Sequence, residues 1–180
     1  MFMKKIKEKE AIALLEKYSK DKESFNNVLK HSKAVRKVAL DLAKDIPNIN
    51  KNFISIASLL HDIGRFDYWK KDVVKHGIRG GEILRNEGLD KCALVAERHL
   101  GAGISKEEVK EQELDLPLKD FVPVTNEEKV IAHADNIISG EKPITFSEAI
   151  ERYEKELGKK VANKVKRLGE EVEKLKKKPH

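Results

Sequence analysis

Apolar residues recur along the chain at helical spacing, and the breaks between them fall at glycine and proline. Ile6, Ile12, Leu14 and Leu15 mark a first helix over about 6–20. Phe25, Val28, Leu29, Val35, Val38, Ala39 and Leu42 keep the i, i+3, i+4, i+7 rhythm of a second, from near Ser24 to before Pro47. A third, capped by Asn50, contains Phe53-Ile-Ser-Ile-Ala-Ser-Leu-Leu60 and ends at about Gly64. It is apolar nearly all round, which predicts the central buried helix. A loop over Arg65–Lys75, carrying Tyr68 and Trp69, leads to a fourth helix over about 76–87 and a fifth over about 90–100, stopped by Gly88 and Gly101. Ser105 with Glu108, Thr125 with Glu128 and Thr145 with Glu148 have capping-box spacing and set three further helix starts. Leu114–Val124, with Pro117 and Pro123, reads as a loop. A last helix is expected from Ser147 towards Leu175, and no strand pattern of any length is visible. Its stripe Val161, Val165, Leu168, Val172 and Leu175 is expected to pack on its own domain, with a homodimer seam as the alternative. The expectation is an all-α fold in one domain over 1–180, its core at about 24–140 and a long C-terminal helix at about 147–175.

Composition narrows this picture. A chain of 180 residues is long enough to bury a real core. Its charged residues, 38% of the total, are interleaved with apolar ones at helical spacing, which excludes a disordered chain. No stretch approaches the roughly 18 apolar residues of a membrane span. The charged start Met1–Glu10 lacks the apolar core of a signal peptide, so a cytoplasmic protein without membrane association is expected. The single Cys92 excludes an intramolecular disulfide and a cysteine-based zinc cluster. A net charge of +6 suits nucleic acid, but much of the lysine excess sits at the two ends and glutamate is interleaved throughout. A phosphorylated small molecule suits the same surface, and nucleic acid is the less favoured partner.

The chemistry lies in the histidines and their neighbours. With terminal His180 set aside, five remain, at 31, 61, 76, 99 and 133. His31 flanks the apolar stripe of the second helix, and His61-Asp62 closes the most hydrophobic helix in the chain. A carboxylate there is costly unless something pairs with it, and a divalent cation would. Asp135, after Ile131-Ala-His-Ala, poses the same problem. Two histidines and two aspartates form a nitrogen–oxygen set suited to Mn, Fe, Co, Ni or Zn rather than to soft metals. His133 lies about 200° round a helix from Asp135 and is not read as a ligand.

His31, His61-Asp62 and Asp135, in this order and on helices, resemble the H…HD…D signature of the HD superfamily. Leu59-Leu-His-Asp-Ile-Gly64 is similar to its HDIG-type members. The resemblance implies a compact multi-helix HD-domain bundle with a metal site at its centre. His76-Gly-Ile-Arg-Gly-Gly-Glu-Ile-Leu84 and Ala96-Glu-Arg-His-Leu-Gly101 resemble the extra histidine segments of binuclear HD enzymes. That implies a second metal site sharing Asp62. Two divalent ions (Mn, Fe, Co, Ni, Zn or Mg) are therefore favoured; in the other reading His76 and His99 bind substrate phosphate beside a single metal. Gly80, one turn after His76, is read as leaving room near the metals. Across roughly 25–140, including His99-Leu-Gly-Ala-Gly-Ile-Ser105, Phe121-Val-Pro and Glu127–Asn136, the chain looks like small stand-alone HD proteins known mainly from archaea. By site pattern it is also similar to small binuclear HD hydrolases that cleave dinucleoside polyphosphates.

The resemblance implies hydrolysis of a phosphoester or phosphoanhydride of a nucleotide or dinucleotide by a metal-activated water. Asp62 would bridge the metals and steer the water, and Arg65 would neutralise charge developing on the phosphoryl group. Arg79 and Arg98, beside ligand-bearing turns, and His133 are further candidate substrate contacts, and Asn136 is a candidate to orient Asp135. Tyr68 and Trp69 are expected to pack on the body rather than stack on a base. Two other readings stay open: a nucleotide-binding or signalling module without turnover, and a di-iron oxygenase.

Overall fold

Four of the polar residues placed to cap helices do so in the structure, a computed structural model that describes residues 6–69 and 72–177. Asn50 accepts a hydrogen bond from the Phe53 amide at 3.0 Å, and Ser105, Thr125 and Thr145 accept from Glu108, Glu128 and Glu148 at 3.2 Å. The reciprocal bond closes the box at Glu108 and Glu148, whereas Glu128 reaches one residue further back, to the Val124 amide. Each such cap contributes about 1 kcal/mol. The second helix starts earlier than expected, because Asp21 is its cap and Ser24 lies inside its first turn.

The helices are α1 (Glu8–Tyr18), α2 (Lys22–Leu42), α3 (Lys51–Leu60), α4 (Lys75–Asn86), α5 (Asp90–Arg98), α6 (Lys106–Glu111), α7 (Asn126–Asn136), α8 (Phe146–Leu157) and α9 (Lys159–Leu175). Short 3-10 turns at Ala43–Asp45 and Ile63–Phe66 follow α2 and α3. Apolar α3 takes the central position, packed against α1, α2, α5 and α7, with Ile54, Ala57, Leu59 and Leu60 fully buried. The loop over Leu114–Val124 is pinned by an isolated bridge between Ile104 and Phe121. No described helix is long and apolar enough to cross a membrane. Lys70, Lys71, the first five residues and residues 178–180, His180 included, lie outside the described residues.

Two expectations need correction. The last helix is not continuous: Gly158, at φ 86° and ψ 168°, breaks it into α8 and α9. Only glycine adopts that backbone without strain, so α9 folds back onto α8 and α7. The stripe Val165, Leu168 and Val172 is buried in this packing within the chain. The other correction is a minimal antiparallel hairpin, β1 (Ile138–Ser139) with β2 (Lys142–Pro143), turning at Gly140 with φ 64°. Four strand residues are too few to show an alternating pattern, but the Ser139-Gly140 dipeptide is a turn signal.

Glycines set how closely the site-bearing helices approach. A Cβ on Gly77 would stand 2.8 Å from the Ala96 carbonyl oxygen, and one on Gly80 would stand 3.1 Å from the Ala96 methyl. These positions let α4 and α5 pack nearly backbone to backbone. Gly80 thus makes room for α5, not for a cation. Gly64 is tighter still: a Cβ there would overlap the His76 carbonyl oxygen and stand 2.5 Å from the Gly80 nitrogen. Gly64→Ala is expected to destabilise the fold by about 3 kcal/mol, because both obstacles are backbone that must move. The displaced backbone is that of His76, so a denaturant midpoint and a cation-binding titration should fall together.

Candidate metal centre

Five helices and their ends deliver six side chains to one buried point. His31 comes from the middle of α2, and His61 and Asp62 follow the last turn of α3. His76 lies in the first turn of α4, His99 caps the C-terminus of α5, and Asp135 lies in the last turn of α7. His61, Asp62, His76 and His99 are each at most 1% exposed.

The orientation of each imidazole is fixed from behind. Nδ1 of His61, His76 and His99 lies 2.7, 2.5 and 2.8 Å from the carbonyl oxygen three residues earlier, that of Ser58, Val73 and Ala96 respectively. His31 is further from its own helix end and uses Gly140 instead, at 2.6 Å. The hairpin missed in the sequence therefore has a job: its turn carbonyl anchors His31. With Nδ1–H donating to a carbonyl, Nε2 of each ring carries the lone pair when the imidazole is neutral, and it faces the centre.

Two carboxylates face these nitrogens. His31 Nε2 is 3.0 Å from Asp135 Oδ1 and 3.5 Å from Asp62 Oδ2. His61 Nε2 is 3.6 Å from Asp135 Oδ1 and 3.7 Å from Asp62 Oδ2. The other oxygen of Asp62, Oδ1, lies 3.0 Å from His76 Nε2 and 3.3 Å from His99 Nε2. Ligand atoms of His31, His61 and Asp135, and of His61, Asp62 and His99, lie within 4.8 Å of one another, so the cluster can hold a divalent metal. His61 Nε2 and Asp62 Oδ1 are buried without a hydrogen-bond partner. Orphaned atoms of this kind cost about 1–3 kcal/mol each unless something satisfies them, and a cation fits that need.

Charge is balanced tightly. Burial opposes ionisation of Asp62, but the Arg65 guanidinium, whose Nε donates to Asp62 Oδ2 at 2.5 Å, holds the carboxyl well below its ordinary value. Burial likewise opposes, and the His31 and His61 imidazoles outweigh it, at Asp135. Burial lowers the His76 imidazole, and at His99 the Asp62 carboxylate overcomes burial and raises it. For His31 burial acts downward, but Asp135 and Asp62 prevail and lift it to about 9. Without a cation, the stability drawn from charged His31 is present below its ordinary 6.5 and lost as pH rises through about 9. A cation needs neutral His31. Its apparent affinity should rise by up to about tenfold per pH unit across that interval and then level off, as a competitive-chelator titration will read.

Several expected contacts are elsewhere. Arg79 points to the outer side of α4, paired with Asp67 at 2.7 Å and Glu82 at 3.1 Å. Arg98 ties α5 to α7 through Glu128 at 3.0 Å, one residue round the helix from His99. His133 is buried on the far side of α7, edge-on to the Phe146 ring at 5.1 Å, and burial pushes its imidazole down to about 4. Asn136 does not touch Asp135. It donates to the Gly101 carbonyl at 2.8 Å and accepts from the Tyr153 hydroxyl at 2.7 Å. It thereby fastens the end of α7 to the turn after His99 and to α8. Sequence reasoning misses Tyr153, because no local signal marks it.

The fold and this cluster define a helical protein with a buried histidine–aspartate cluster that could hold a divalent metal. The chain belongs to the HD domain family, which residues 28–140 match, a span that encloses all six residues. The likeness to small archaeal proteins is borne out by an uncharacterized protein of Methanocaldococcus jannaschii, 47% identical over 138 residues, 74% of this chain and 79% of that one. Two proteins named tRNA (cytidine(56)-2'-O)-methyltransferase, from Picrophilus torridus and Thermoplasma volcanium, are 40% and 34% identical over 81% and 89% of this chain. The chain spans less than half the length of these two, 41% and 45%. Among solved structures, the HD domain of the Listeria monocytogenes phosphodiesterase PgpH in complex with cyclic-di-AMP shares the fold. The TM-score is 0.52 at 13% identity, over 95% of this chain and 99% of that one.

Proposed function

We propose that this chain is a divalent-metal-dependent phosphohydrolase that cleaves a phosphoester or phosphoanhydride of a nucleotide. One observation carries the reading: four imidazoles, each anchored through Nδ1 on a backbone carbonyl, turn Nε2 towards two buried carboxylates. His31, His61 and Asp135 would hold one cation, and His76 and His99 a second. Asp62 would serve both, since Oδ2 faces the first group and Oδ1 the other. Bound there, divalent cations supply Lewis acidity for a phosphoryl oxygen and a nucleophilic water at neutral pH.

The chain's own groups do the rest. Asp62 fixes Arg65 through Nε, and the terminal guanidinium nitrogens have no hydrogen-bond partner among the described residues. Arg65, 27% exposed at the edge of the buried cluster, is placed to bind phosphoryl oxygens and to offset the charge that builds on them. The cytoplasm, where nucleotides are abundant, is the proposed location.

A second substrate class, RNA, is favoured by the two relatives named tRNA methyltransferases and by the net charge of +6. One screen tests both. Nucleotides, cyclic nucleotides, dinucleoside polyphosphates and tRNA are incubated with Mn, Fe, Co, Ni, Zn or Mg in turn. Cation-dependent cleavage abolished by chelation is expected. A protein that binds cations yet cleaves nothing is a binding module, and one that consumes dioxygen with iron is an oxygenase.

A further inference from the structure

We propose that Trp69 is the stacking platform for the base of a nucleotide whose phosphate sits at Arg65, a proposal that rests on the phosphohydrolase reading above. The chain has a single tryptophan. It is 46% exposed, shortly after the 3-10 turn that carries Arg65. The Arg65 guanidinium carbon lies 6.0 Å from the indole centroid, over the ring, while Arg65 Nε rests on Asp62. The indole is thus joined to the metal centre through one side chain. The guanidinium stands over the ring, and the indole's exposed area is available to a planar ligand.

That arrangement suits a nucleotide. The guanidinium would take the phosphate and the indole the base, with 6.0 Å between the guanidinium carbon and the ring centroid. A base stacks on an indole whatever its hydrogen-bonding edge, because every base has a π-face. Selection would therefore favour base-bearing phosphates over sugar phosphates without reading the base itself. A cleft of about 220 Å³ on the outer face of α4 is the competing place for a ligand. Its cations are already engaged: Lys75 with Asp115 at 2.5 Å, and Arg79 with Asp67 at 2.7 Å. An anionic ligand would have to break those pairs.

Because Trp69 is the lone tryptophan, its fluorescence reports on this position directly. With Mg²⁺ present, the full chain is titrated with 5′-AMP and, separately, with ribose 5-phosphate. A saturable change with 5′-AMP, at least about tenfold weaker or absent with ribose 5-phosphate, is expected. Equal responses to the two, or none to 5′-AMP, overturn the proposal. Turnover is scored separately. A base-dependent response without turnover keeps the platform and removes the hydrolase; turnover without the response does the reverse. In a turning-over enzyme, Trp69→Leu should raise KM for the nucleotide about tenfold with kcat held within about threefold, and Trp69→Phe should restore KM. A Trp69→Leu protein with unchanged KM also overturns the proposal.

Discussion

Asp62→Ala is expected to strip both cation positions at once and to lower kcat/KM by roughly 10³-fold or more. Changing a residue that only supports a ligand already costs about 10–100-fold in metal affinity or activity. Asp62 is proposed as a ligand itself, and it faces His31 and His61 with one oxygen and His76 and His99 with the other. It also holds Arg65, so the substitution frees the group proposed to clamp the phosphoryl oxygens. Metal content measured on purified protein should fall from about two ions per chain towards none, with the helical circular dichroism retained. A variant that keeps either ion tightly would show that Asp62 is not shared.

His99→Ala carries the next largest effect and separates one cation from two. His99 Nε2 lies 3.1 Å from His76 Nε2 and 3.3 Å from Asp62 Oδ1, on the side of the cluster away from His31. Removing it should bring bound metal from about two ions towards one, and turnover should fall steeply while the His31, His61 and Asp135 group still loads. Because His99 is buried, alanine also leaves a cavity. His99→Gln fills most of that space without an imidazole, and should lose the same ion. Full metal content with only weakened substrate binding would instead make His99 a phosphate contact beside a single metal.

In the sequence Asp62 and Asp135 stood out as carboxylates in apolar helices, and His31, His61, His76 and His99 by the order in which they match a known pattern. The partners that orient them were less legible. Gly140 contributes a carbonyl, which every residue has, so nothing in its identity announces that His31 leans on it. Tyr153 meets Asn136 from another helix, and helical periodicity says nothing about such distant pairs. Arg79 and Arg98 adjoin metal-site turns in sequence, but one step along a helix rotates a side chain by about 100°, enough to send both to other partners. The missed break at Gly158 comes from the same limit. The apolar rhythm resumes after it, and only the backbone shows that the rhythm belongs to a new helix.

The Tyr153–Asn136–Gly101 bridge bears on how this unit travels between genes. Residues 28–140 define the family match, yet Tyr153 lies beyond them and braces the end of α7 that carries Asp135. Arg152, from the same turn of α8, donates to the Asn136 and Ile138 carbonyls. A gene fusion cut at the family boundary would take the ligands and leave their brace behind. The likeness to the two longer relatives covers 81% and 89% of this chain, which is more than that boundary encloses. A fragment ending at residue 140 would keep the six side chains and lose the Arg152 and Tyr153 contacts that fasten the end of α7.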